Sequence, residues 1–213
     1  MSASAMPTKM VKAETAQVLI IACGALAHEI QQIKRLNSWN HIELTCLPAE
    51  LHNTPDLIVG KLREKIDKVR SKYNQIYIGY GDCGTGGHID LLCEEEGIER
   101  LPGAHCYSFF AGAESFNEIA EQELGTFYLT DYLAQNFERI IVGGFKLDTH
   151  PELREMMFGN YRRLVYLSQR ETPELVEKAQ KAAQYLELDF EQIHTGYGDL
   201  ETSLAPELIA RAQ

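Results

Sequence analysis

The sequence is short of several features, and each shortage excludes something. Its longest apolar stretch, "QVLIIACGALA", falls well below the about 20 apolar residues that a bilayer span needs. A membrane role is therefore not expected. No run of five or more basic residues occurs, and the formal net charge is -11. Such a surface repels phosphate backbones, so nucleic acid is not an expected partner. There is no G-K-[ST], which excludes a P-loop. No two cysteines form a C-x-x-C pair. Five cysteines, an odd number, argue against a disulfide framework. The first residues, "MSASAMPTKMVKAETA", lack the apolar core of a secretory signal. Residues 1–16 read as a frayed or partner-docking tail, and the chain is expected in the cytoplasm.

What is present suits a soluble α/β protein. Of 213 residues, 45% are hydrophobic and 24% charged. That length supports one sizeable core, and residues 17–213 read as a single domain. Strand and helix signals alternate. "QVLIIAC", "HIELTCL" and "QIYIGY" read as strands, the first a near-continuous apolar run suited to burial on both faces. Between them lie two helical patterns. The first carries apolar Leu26, Ile30, Ile33 and Leu36; the second starts with Thr54 as cap and Pro55 at its first position. "GGHIDLLCEEEG" reads as a short helix ending at Gly97, and "IERLPGAHCY" as a weaker strand. "ESFNEIAEQE", "TFYLTDYLAQNFERIIVGGF" and "HPELREMMFGNY" all show helical periodicity. "RLVYLSQ" returns to strand, "TPELVEKAQKAAQYLEL" to helix with Thr172 as cap, and "FEQIHTGYGDLE" closes with a strand and a loop. The expected architecture is a three-layer, Rossmann-like α/β fold: a mostly parallel sheet of five or six strands with helices on both faces.

Four of the five cysteines fall at or just past predicted strand ends: Cys23, Cys46, Cys83 and Cys106. Open parallel sheets bind ligands at the carboxyl ends of their strands, so these thiols can meet at one edge. Thiolates bind Zn²⁺ or an iron–sulfur cluster, and three protein thiolates leave one position open for substrate. Burial alone also explains cysteines at strand ends, and Cys93, beside Leu91 and Leu92, reads as core. His28, five residues past Cys23, and His150 with Asp148 in "LDTHPEL" read as surface groups.

"GYGDCG", Gly79 to Gly84, matches G-x-G-x-x-G formally, but it follows the third strand and carries an acidic Asp82. The glycines are better read as room for the backbone around Cys83. Backbone N–H groups and a helix N-terminus there would lower the Cys83 pKa. "HTGYGDLE" echoes the loop after the last strand, which suggests two strand ends turning alike. Gly81, Asp82, Gly84, Thr85 and Gly86, with Gly196, Tyr197 and Gly198, form the expected substrate pocket. A metal-free alternative uses Cys83 as nucleophile with His105 or His52 as base.

In combination, "LIIACGALAHEI", "LPAELHNTPDLI", "YGDCGTGGHID", "GAHCYSFFAG", "ELGTFYLTDYL", "HPEL" and "TGYGDLE" resemble the bacterial and archaeal family of the domain of unknown function 1638, from about residue 17 to 201. The resemblance implies that the recurring cysteines are Cys23, Cys83 and Cys106, holding a 4Fe-4S cluster or Zn²⁺, and that His52 is the histidine of the "LPA-x-LHN" motif. It also implies one-carbon metabolism, with a small-molecule substrate or a corrinoid-dependent methyltransferase for methylated amines or betaines as partner. A non-catalytic accessory role in that system is a further alternative.

Overall fold

The computed structural model describes residues 18–209, with side chains to residue 204. The expected tail at 1–16 lies outside the described residues. The chain is an α/β fold of Rossmann-like layout, and its parallel strands divide between two sheets. The first contains β1 (Val18–Cys23), β2 (Ile42–Leu47), β3 (Gln75–Gly79) and β4 (Glu99–Arg100) in the order β2-β1-β3-β4. The second contains β5 (Thr126–Thr130), β6 (Arg163–Ser168) and β7 (Asp189–His194), in sequence order. All pairings are parallel. The expectation of one sheet of five or six strands is thus corrected to seven described strands in two sheets.

Helices cover both faces of the first sheet. Val18, Ile20 and Ala22 of β1 pack on Leu26, Ile30 and Ile33 at the start and along α1 (Ala27–Leu36). Leu19 and Ile21 point the other way, to Ile58, Leu62 and Ile66 of α2 (Ile58–Val69) and Ile89 and Leu92 of α3 (His88–Glu96). This is why β1 reads as unbroken apolar sequence. Leu36 leaves the stripe: it is 74% exposed at the end of α1. Neither Thr54 nor Thr172 caps a helix with its side chain.

"TFYLT" is the clearest misreading. Residues 126–130 are strand β5, not the start of a helix. β-branched and aromatic residues favour a pleated surface. Thr130 then ends the strand and caps α6 (Asp131–Gln135), accepting the Leu133 N–H. Pro102 and Gly103 cut the fourth strand to two residues, so "AHCY" enters helix α4 (Cys106–Ala111) instead of strand.

The two sheets are tied together by α4, by a short turn and by the chain end. Phe109 and Phe110 of α4 join the core of the first sheet, while Tyr107 packs on the second. The 3₁₀ turn Ala49–Asn53 meets the π-helical turn Glu138–Val142: Asn53 Nδ2 donates to the Ile140 carbonyl, and Arg139 pairs with Glu50. After α5 (Ala113–Gln122), α7 (Glu152–Phe158) and α8 (Pro173–Leu186), the last helix α9 (Leu200–Ile209) returns Leu200 and Leu204 to the first core. That helix was not anticipated from "TGYGDLE".

The carboxyl ends of β5 and β6 are locked by Asp131, which is 1% exposed. Its Oδ1 accepts from the Tyr166 hydroxyl (2.7 Å) and the Gln169 N–H (3.0 Å). Its Oδ2 accepts the Arg170 N–H (3.0 Å) and Nε–H (2.9 Å). Facing this group from α1, Glu29 is buried and its Oε2 has no partner. Burial pushes its pKa up to about 7.

Asp131→Asn exchanges an acceptor for a donor among these donors. It is expected to lower stability by about 3 kcal/mol in urea unfolding; a loss below about 1 kcal/mol would contradict the lock. For Glu29 the folded pKa lies above the unfolded one, so ionisation opposes folding. The penalty is absent below about pH 4.5 and complete above about pH 7, where it reaches about 3 kcal/mol. Glu29→Gln should therefore match the parent at pH 4.5 and exceed it at pH 8. Parallel stability curves across that window would refute the assignment.

Candidate functional site

Cys83 is placed by its loop and not by a helix. It adopts φ 50°, a left-handed conformation unusual outside glycine. Two backbone bonds hold it there: Asp82 N–H to the Gly103 carbonyl (3.0 Å) and Cys83 N–H to the Ala104 carbonyl (2.7 Å). Gly81 makes this approach possible, since a Cβ there would meet the Gly103 oxygen at 3.1 Å. The clamp brings Cys83 against the segment that opens α4 at Cys106. The loop's other donors turn inward. Asp82 accepts from Gly86 N–H (3.1 Å), Gly87 N–H (2.6 Å) and the Thr85 hydroxyl (2.8 Å). These bonds hold its carboxyl below the usual range against the opposing effect of burial. The donors that would cradle a phosphate are thereby already used on Asp82.

Cys23, the last residue of β1, completes the group from behind. Its register neighbours place Cys46 of β2 beside it, opposite Ala22. Burial raises the pKa of every one of these thiols. Cys83 is pushed up to about 12, with the nearby Cys23 sulfur as the next cause. Cys106 is raised well above its ordinary value, by burial and then by Cys83 and Cys23. Cys23 is raised, and Cys46 is pushed up to about 11. The three thiols singled out from sequence therefore lie in one neighbourhood: the Cys23 charge opposes ionisation of Cys83, and both oppose that of Cys106. The expectation that the loop would lower the Cys83 pKa is overturned: desolvation outweighs the backbone donor at Gly81. No helix starts at Cys83 either, since α3 begins at His88.

Among the described residues, no three or more His, Cys, Asp or Glu side chains stand ready-made as a metal-holding group. The donors nonetheless match a soft metal in kind. Tyr80, absent from the sequence-based list, adds to that match. It is 2% exposed and lies beside the Cys23, Cys83 and Cys46 sulfurs, with the Cys23 thiol as the partner of its hydroxyl. Its position inside "GYGDCG" was the available signal.

Cys83 and Cys106 face a cavity of about 370 Å³ between the two sheets. His52 and His105 line the same end, open to solvent on one side. Desolvation lowers both pKa values, which disfavours their protonated forms although both rings keep an exposed side. The opposite wall comes from the second sheet and its helices, including Phe127, Tyr128, Phe145, Phe158 and Tyr161. Phe127 escaped notice because its segment read as helix.

The other sequence candidates lie elsewhere. Thr85 lines a surface groove with Pro55 and His88. Gly84 and Gly86 sit at positive φ in the Cys83 turn. Gly198 packs on the Phe109 and Phe110 carbonyls, and Tyr197 on the first core. The two G-Y-G-D loops do not turn alike, because Gly196 and Gly198 have positive φ while Gly79 and Gly81 do not. Cys93 is core, and His28 and His150 are exposed, as read from sequence.

Among the described residues no helix is long and apolar enough to cross a membrane. No curated protein and no solved structure gives a match to this chain. The family model described as a protein of unknown function, DUF1638, matches residues 46–204. That range includes Cys46, Cys83, Cys106 and His52 and stops short of Cys23. Matching most of its length, the chain belongs to the DUF1638 family.

Proposed function

We propose that Cys23, Cys83 and Cys106 hold a soft metal, as a 4Fe-4S cluster or as Zn²⁺, at the inner end of the cavity, which admits the small molecule acted upon. The observation that carries this reading is the convergence of three thiols from three separate segments on one buried neighbourhood. Crowded thiols oppose one another's ionisation; a cation reverses that effect and binds the thiolates. Metal binding and deprotonation of the three thiols are coupled, so uptake releases protons and its affinity rises with pH. The Tyr80 hydroxyl beside Cys23 supplies a donor for a thiolate, the kind of outer contact that tunes metal sites. The three thiols have to close on the metal. When bound, such a metal would offer a Lewis-acid position to a substrate oxygen, nitrogen or thiol. His52 and His105 line the cavity and can accept a proton there. By family resemblance we place this activity in one-carbon metabolism, beside a corrinoid-dependent methyltransferase.

The metal-free nucleophile is the weaker reading. At a pKa of about 12, about one Cys83 in 10⁵ is thiolate at pH 7.

Anaerobic purification followed by iron, sulfide and zinc analysis tests the proposal. Cys23→Ser, Cys83→Ser and Cys106→Ser should each lose most of the metal, while Cys93→Ser retains it with unchanged circular dichroism. Tyr80→Phe should weaken retention about tenfold. A protein that takes up neither metal, or keeps it in all three variants, would sink the idea. In the metal-stripped protein, iodoacetamide should label Cys83 more slowly than a free thiol, at a rate still rising at about pH 10. A fast, pH-independent reaction would favour the nucleophile instead.

A further inference from the structure

We infer that the cavity between the sheets selects an uncharged small molecule built on a flat apolar ring, its head group directed towards Cys83 and Cys106. Only the direction of the head group rests on the metal reading. Size is the first argument. An apolar cavity of about 150 Å³ takes up benzene. A volume of about 370 Å³ therefore accommodates one ring with a head group of similar bulk.

Charge is the second argument. No Asp, Glu, Lys or Arg lines this cavity. An anion would find no cationic partner here, in a chain of net charge -11. A buried charge without a partner costs several kcal/mol or more.

A cation needs closer consideration, because aromatic faces attract cations. Here the rings occupy one another. Phe127 meets Phe158 edge to face at 5.4 Å and Tyr161 at 5.8 Å, and Phe145 meets Phe158 at 6.3 Å. In such pairs the electron-rich face of one ring is spent on the positive edge of its neighbour. Phe127, Phe145 and Phe158 thus form an edge-to-face array that another neutral ring can extend, while Tyr161 lies tilted to Phe158 at 5.8 Å and Tyr107 to Tyr128 at 5.4 Å.

The test is an NMR titration of the full chain with benzyl alcohol, benzoate, benzylammonium and benzyltrimethylammonium, before and after loading with Zn²⁺. Benzyl alcohol should bind at least about tenfold more tightly than each charged ring in both states. It should also shift the imidazole resonances of His52 and His105. Met157→Trp, which fills the cavity from its apolar wall, should weaken that binding by a similar factor. Equal or tighter binding of any charged ring overturns the inference, as does benzyl alcohol binding that leaves both histidines unmoved. Zn²⁺ uptake by the cysteines without benzyl alcohol binding also overturns it. Benzyl alcohol binding by a protein that takes up neither Zn²⁺ nor, on anaerobic reconstitution, iron and sulfide sinks the metal reading and leaves this one standing.

Discussion

Two backbone hydrogen bonds govern the geometry of the site: Asp82 N–H to Gly103 and Cys83 N–H to Ala104. They join the loop after β3 to the segment that opens α4. Without them, Cys83 and Cys106 would belong to separate parts of the surface. Each bond is worth only about 1 kcal/mol net, and the left-handed Cys83 costs about as much. Gly81 tips the balance by letting the two backbones touch. The carboxylate of Asp82 then satisfies the rest of the turn. The acidic residue that argued against phosphate in the sequence is the residue that closes the loop.

Clamping the loop has an electrostatic consequence. It buries Cys83 near Cys23 and Cys106, where desolvation and mutual repulsion both hold the protons on. Raised pKa values disfavour the thiolate at neutral pH. In the proposed reading a cation compensates the charge, so the same feature that weakens the nucleophile supports the metal. Helix α4 makes the arrangement rigid: Phe109 and Phe110 anchor it in one core and Tyr107 in the other.

Local signals in the sequence carried the parallel strands and most helices. β1 is apolar throughout because both of its faces are covered, and strand ends collect ligands because crossovers return behind the sheet. What escaped is non-local. Nothing in "TFYLTDYL" says that its first five residues pair with "RLVYLS" to start a second sheet. Helical spacing downstream masked a β-prone start. With β5 misread, the aromatic wall of the cavity could not be assembled, and the pocket was assigned to the glycine loops instead. The pKa of Cys83 was misjudged for a related reason. The glycines nearby were visible, but the neighbours that desolvate it come from other elements.

The repeated G-Y-G-D shows how far a short echo can mislead. After β3 the glycines let two loops meet and leave φ negative; after β7 they adopt left-handed φ so that Asp199 N–H reaches the Phe109 carbonyl at 2.7 Å. The same four residues thus perform different backbone tasks. Both tasks converge on α4: one loop grips the segment before its first residue, and the other grips its carboxyl half. The helix that begins with Cys106 is therefore held at both ends by loops that follow strands of different sheets. That double hold is what places the Cys106 thiol at the seam between the two halves, facing the cavity they share.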